Sequence, residues 1–131
     1  MTGDCFRQAA LFLMDLAMLG SVDGYTVVHA DVERYIDGLR HVHAWVEYDI
    51  GGTVLCIDCS TGQRGVFDRN TYYRAGNVGR VVRYEWGELR RLMLTHKHFG
   101  PWDAALSAVQ DRAVRMTEEN DGIRSDQLQP E

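Results

Sequence analysis

Apolar residues recur at helical spacing at the start of the chain. Between residues 4 and 19 they are Phe6, Ala9, Ala10, Phe12, Leu13, Leu16 and Ala17. Gaps of three and four positions place these side chains on one face of a helix. Residues 2–4 offer capping side chains, and Gly20 is typical of a helix stop. The pattern therefore predicts a helix over residues 4–19.

The rest of the chain alternates between strand-like and helix-like patterns. Segments rich in β-branched and aromatic residues predict strands over 25–30, 41–48, 53–58 and 80–84. Helical periodicity predicts helices over 69–75, 85–98 and 103–116. Polar connections are expected over 31–40 and 59–65, and Gly100-Pro101 separates the last two helices. These elements predict an α+β fold in which an N-terminal helix packs on an antiparallel sheet, with helices at the C-terminal end.

Length and composition favour one domain. A chain of 131 residues, 45% of them hydrophobic, is long enough to bury a core. We expect residues 1–116 to form that domain. Residues 117–131 are rich in acids and contain almost nothing apolar, so they predict a disordered acidic tail.

The predicted hairpin over residues 41–58 gives a test of which side chains meet. Alternation along a strand places His41, His43 and Trp45 on one face, and the face that begins with Val42 is expected to be the core face. If Asp49 and Gly52 flank a two-residue turn, His43 stands directly opposite Asp58. Opposed Cβ atoms lie roughly 5 Å apart, within reach of an imidazole–carboxylate hydrogen bond.

A thiol, an imidazole and a carboxylate are the parts of an activated nucleophile. Cys5 lies at the predicted start of the first helix, which favours the thiolate. In such a triad His43 would deprotonate the thiol and Asp58 would orient the ring. The sequence therefore predicts a Cys5–His43–Asp58 triad that carries out cysteine-dependent acyl transfer, if the helix packs so that its start meets the hairpin.

The same residues resemble a known family. A Cys that opens a helix, the segment His43-Ala-Trp-Val-Glu47 and the later Ile57-Asp58 look like the core of transglutaminase-like proteins of the papain-like superfamily. The resemblance covers roughly residues 3–60. It implies a papain-like fold and a thiol enzyme acting on amide or ester bonds, such as a peptidase, amidase, deamidase or transferase. Small proteins of actinobacterial phages look similar through Val28-His29 and residues 98–103.

The expected substrate is a peptide or a small amide or ester, and no cofactor is required. Only four residues precede Cys5, so the oxyanion is expected to bind the Cys5 backbone N–H and a second donor. His41 and Gln8 are candidates for that donor and for the substrate cleft. Trp45 is expected to line the cleft and to shield the contact between His43 and Asp58 from water.

Two other readings remain open. One is a non-catalytic binding protein or phage accessory protein built on the same scaffold. The other is a zinc module, because Cys56 and Cys59 have ligand spacing and could join His41 and His43, or His96 and His98. A second cysteine pair is missing, so the prediction for a metal is none.

Charge and hydropathy exclude several classes of protein. A net charge of −5 argues against nucleic-acid binding, which needs clustered Lys and Arg. No apolar run approaches the ~20 residues of a membrane span, and the start does not have the pattern of a signal peptide. Three cysteines are read as free thiols. We therefore expect a cytoplasmic protein that binds neither nucleic acid nor membranes, and the sequence does not predict its oligomeric state.

Overall fold

The computed structural model describes residues 4–60 and 65–128, with side chains up to residue 119. The helices are α1 (Asp4–Leu19), α2 (Arg69–Ala75), α3 (Trp86–His96) and α4 (Ala104–Leu128). The strands are β1 (Tyr25–Glu33), β2 (Arg40–Ile50), β3 (Thr53–Asp58), β4 (Gly65–Asp68) and β5 (Val81–Tyr84). The predicted α+β class is confirmed.

All five strands form one antiparallel sheet in the order β4-β3-β2-β1-β5. The central strand β2 pairs with β1 from Tyr48 to Arg40, but with β3 only from Ile50 to Val46. The half of β2 that carries His43 therefore lies beyond its ladder with β3.

Several predicted boundaries agree with the structure. The bounds of α1, β3 and α2 are those predicted, and α1 ends at Leu19, directly before Gly20, which has φ +114°. The predicted strand 25–30 continues to Glu33, so the connection to β2 is shorter than expected. Strand β4 lies partly in the predicted loop 59–65 and was missed, because most of its side chains are exposed and leave no alternation to read. The suggested capping residues 2 and 3 lie outside the described residues.

Helix α4 extends well past the predicted end at Met116. It continues to Leu128, so the helix covers most of the segment predicted as a disordered tail, whose last residues lie outside the described part of the chain. Glu, Gln and Arg are good helix formers, and a helix that is already packed can extend through them. None of the helices in the described ranges combines the length and the hydropathy that a bilayer crossing requires.

The hairpin register differs from the prediction by two residues. Ile50 pairs with Thr53, so the turn is formed by Gly51 and Gly52 rather than by residues 50 and 51. Both glycines have positive φ, 58° and 96°, which a two-residue turn of this kind requires and glycine adopts without strain. A shift of two keeps every side chain on its predicted face, so the grouping of His43 with Asp58 survives.

Both faces of the sheet are buried, where only one was expected. The helices α1, α3 and α4 cover the face that carries Val42, Ala44 and Val46, as predicted for the core. The opposite face, which carries His43 and Trp45, has a second and smaller core. Its members are Val28, Ala30, Val32, Trp45 and Cys56, with Tyr72, Tyr73, Val78 and Val81 packed against them.

Candidate active site

Cys5 is held at the start of α1 by the apolar face that follows it. Phe6, Ala9, Ala10 and Leu13 are all buried on the sheet, so the position of the helix start is determined by packing. Cys5 is 5% exposed. Cys5 is the second residue of α1, so its backbone N–H lies in the first turn of the described helix.

His43 and Asp58 form the hydrogen bond that the hairpin predicted, but along a diagonal. His43 Nε2 lies 2.9 Å from Asp58 Oδ2, although the ladder shifted by two no longer sets the two residues directly opposite. The imidazole spans the diagonal between the strands, which long side chains can do. The contact is about one-fifth exposed on both side chains, so it is partly shielded from water.

Asp58 is fixed by three donors. Its Oδ2 accepts hydrogen bonds from His43 and from the Tyr72 hydroxyl, the latter at 2.5 Å. Its Oδ1 accepts the backbone N–H of Ser60 at 3.0 Å, so the carboxylate orients the histidine and caps the loop at once. Burial acts to raise the pKa of Asp58, but these donors outweigh it and hold the pKa well below its usual range. The carboxylate therefore stays ionised.

The thiol and the imidazole meet at the rim of the sheet, where β2 has left its ladder with β3. Cys5 and His43 share a side-chain hydrogen bond and an electrostatic interaction. Because Nε2 is engaged by Asp58, Nδ1 is the ring nitrogen left for a hydrogen bond with the thiol. Burial acts to lower the pKa of His43, but Asp58 and Cys5 together outweigh it and raise the pKa to about 9. The site thus favours an imidazolium beside Cys5.

This arrangement predicts an unusual titration for His43. We expect its ring to lose its proton near pH 9, measured by NMR on ¹³C-labelled histidine. Asp58→Asn is expected to lower that pKa towards or below 6.5 by removing the anion. Because the folded pKa lies above the unfolded one, this group stabilises the fold fully below pH 6.5 and ceases to do so as the pH rises through about 9.

Asp49→Asn is the matched control for that titration. Asp49 is exposed on the same hairpin and accepts only the Gly52 N–H among the hydrogen bonds of its side chain in the described residues. A His43 pKa that is near 6.5 in the unaltered protein, or that does not respond to Asp58→Asn, would contradict the geometry.

A buried carboxylate that the sequence reasoning missed lies behind the triad. Glu47 is 3% exposed and accepts hydrogen bonds from Trp45 Nε1 at 3.0 Å, from the Tyr73 hydroxyl and from Arg83 Nε at 3.1 Å. The signal was an acidic residue inside a strand of apolar neighbours, on the face of His43 by alternation. The hydrogen bond to Glu47 holds the Trp45 indole in place, and the centre of that ring lies 6.0 Å from the centre of the His43 ring. Glu47 therefore acts on the position of His43 through Trp45.

The three predicted cleft residues have different surroundings. Trp45 is fully buried against Tyr72 and Tyr73, so it supports His43 from below and lines no open cleft, contrary to the expectation. His41 is half-buried, 6.4 Å from the His43 ring centre to centre, and burial lowers its pKa. Gln8 is half-buried on α1, one turn beyond Cys5.

The zinc hypothesis finds no support in the described ranges. Within residues 4–60 and 65–128, no group of three or more His, Cys, Asp or Glu side chains is arranged so that it could hold a metal ion. Cys56 is fully buried, and burial together with the neighbouring Glu47 raises the pKa of its thiol to about 12, which disfavours the thiolate that zinc binds.

The aromatic side chains around Trp102 belong to the core. Trp102 packs edge-on to Tyr84 at 5.4 Å and lies 5.5 Å from the ring of His29, which is fully buried. Burial lowers the pKa of His29 to about 3, so this histidine is neutral. Trp102 therefore packs against the larger core of the protein.

No family model, curated protein or solved structure matches this chain.

Proposed function

We propose that this protein is a cysteine-dependent hydrolase or acyltransferase that acts on amide or ester bonds. The observation that carries the proposal is the unbroken series of contacts from the Cys5 thiol to the His43 ring and on to the Asp58 carboxylate. Three groups of this chemistry in this order have one well-understood use, which is the activation of a nucleophile.

The chemistry follows from the contacts. The Cys5 thiolate attacks the carbonyl carbon of the substrate, and the His43 imidazolium gives its proton to the departing amine or alcohol. A thioester on Cys5 and a neutral His43 remain. His43 then takes a proton from water or from an acceptor amine as that group attacks the thioester, which releases the acid or the transferred product. Asp58 holds the ring in place throughout.

The tetrahedral intermediate needs hydrogen-bond donors for its oxyanion. The backbone N–H of Cys5 at the start of α1 is one such donor, and the helix dipole adds positive potential there. A neutral Gln8 amide, one turn along the same helix, remains our candidate for the second donor, with His41 as the other.

A groove lined in part by His41 supports binding of a peptide or of a small amide or ester. It measures about 210 Å³ and lies between α4 and the start of β2, with His41 among its lining residues. Leu39, Ala113 and Val114 give it an apolar surface. His41 connects this groove with the candidate site, because its ring centre lies 6.4 Å from that of His43 on the same strand face.

The helix start, the neighbouring strands and the order Cys5, His43, Asp58 agree with the resemblance to transglutaminase-like proteins of the papain-like superfamily. We include a papain-like core in the proposal on that basis. The competing proposal is a binding protein that keeps the scaffold without catalysis, which the low exposure of Cys5 favours.

Alkylation of Cys5 separates the two proposals. At pH 7 we expect iodoacetamide to modify Cys5 rapidly, because an imidazole in contact with a thiol activates it as a nucleophile. Cys56 serves as an internal control, since its thiol is buried and its pKa is raised to about 12. The rate at each cysteine is measured by peptide mass spectrometry. A Cys5 that reacts no faster than Cys56 would exclude the triad and favour the binding protein.

A further inference from the structure

Tyr72 contacts the triad from a helix that the catalytic proposal does not otherwise use. Its hydroxyl donates to Asp58 Oδ2, and its ring stacks on Phe67 at 5.4 Å and meets Trp45 edge-on at 5.2 Å. These two ring contacts fix the direction of the hydroxyl. Burial and the adjacent Asp58 carboxylate raise the pKa of Tyr72 well above its ordinary value, so the hydroxyl remains a donor.

The oxygen that accepts from Tyr72 is the one that accepts from His43. Both hydrogen bonds end on Asp58 Oδ2, while Oδ1 binds the Ser60 N–H. Two donors on one carboxylate oxygen share its negative charge, so each weakens the hold of that oxygen on the other. Tyr72 therefore acts on His43 without touching it.

We propose that Tyr72 is a positioning residue of the candidate active site, which holds the Asp58 carboxylate in place and limits how strongly that carboxylate retains the imidazolium. The inference rests on the proposed function for its catalytic meaning. A proton bound too tightly between His43 and Asp58 would be slow to leave for the substrate's departing group. Sharing of Oδ2 with Tyr72 keeps the proton available.

The groups that act on His43 come from four elements. Cys5 approaches from α1, His41 from the same strand, and Asp58 from β3, while Tyr72 of α2 acts through Asp58. Loss of the Tyr72 hydroxyl leaves the other three in place. Asp58 then directs more of its charge to the ring, and the imidazolium becomes more stable.

The test is the titration of His43 by NMR in Tyr72→Phe. The substitution keeps the ring that packs on Phe67 and Trp45, and we expect it to raise the His43 pKa by on the order of half a pH unit. Tyr73→Phe is the matched control: it removes the neighbouring hydroxyl of the same helix, which binds Glu47 instead, and is expected to leave that pKa unchanged. Site-specific 3-fluorotyrosine at position 72, whose hydroxyl is a stronger donor, is expected to lower it.

An unchanged or lowered His43 pKa in Tyr72→Phe would overturn the proposal, as would an equal shift in Tyr73→Phe. If Tyr72→Phe does not fold, the protein with 3-fluorotyrosine at position 72 still tests the proposal. A His43 pKa that is raised in that protein would contradict the proposal. These readings need no catalysis. An inert Cys5 together with the expected shifts would refute the enzyme and leave the role of Tyr72 at Asp58 standing.

Discussion

His43→Ala is expected to slow acetylation of Cys5 by p-nitrophenyl acetate by roughly 10²–10⁴-fold. The loss removes the base that accepts the proton of the thiol, whereas p-nitrophenolate departs without a general acid. The ester serves as a probe because it needs no binding cleft. The measurement is the burst of p-nitrophenolate at pH 7, with the acetyl group located on Cys5 by mass spectrometry and the Cys5→Ser rate subtracted as background.

His96→Ala controls for the loss of an imidazole as such. His96 is exposed at the end of α3, and its ring contacts are with His98 and Trp102 rather than with the triad. We expect the burst to be unchanged in this variant. Equal rates in His43→Ala and His96→Ala would remove the histidine from the mechanism and with it the proposed enzyme.

Glu47→Ala is expected to lower the free energy of unfolding by about 2–4 kcal/mol. The carboxylate is nearly fully buried and accepts hydrogen bonds from Trp45 Nε1 and Tyr73, and alanine would leave both donors without it. Arg83, its ion-pair partner, is 44% exposed and can be hydrated, so the loss of that pair contributes less. Urea denaturation followed by circular dichroism gives the difference.

Glu88→Ala is the matched control for Glu47→Ala. Glu88 pairs with Arg91 on the surface of α3, where both side chains are about half exposed. Loss of the Glu88 side chain is expected to lower the free energy of unfolding by less than about 1 kcal/mol. Similar losses in the two variants would show that the buried hydrogen bonds of Glu47 contribute no more than a surface ion pair.

The Glu47 variant also bears on the site. Trp45 lies between Glu47 and His43, with its indole N–H on the carboxylate and its ring 6.0 Å from the imidazole. Release of the indole N–H removes the constraint on the surface beneath His43. We therefore expect the position of the His43 ring to change in Glu47→Ala.

The local pattern of apolar and polar residues was sufficient to predict many of the helices and strands and the faces that they bury. Helical spacing from Phe6 to Leu13 predicted both α1 and the face that it buries, since those side chains can leave water only on one side of a helix. Alternation along β2 and β3 placed His43 and Asp58 on one face for a two-residue or a four-residue loop, because strand periodicity is two and only an odd loop or a bulge would separate them. For β4 the pattern failed, because that strand is mostly exposed.

The contacts that depend on several elements were decided by the tertiary structure alone. The turn at Gly51 and Gly52 set the register, and Cys5 meets His43 in the part of β2 beyond the last pair of the β2–β3 ladder, at Val46. The hydrogen bonds of α2, from Tyr72 to Asp58 and from Tyr73 to Glu47, join residues far apart in sequence. Periodicity records which face a side chain occupies. It does not record which distant element covers that face, because packing between elements is determined by the shapes of all of them together.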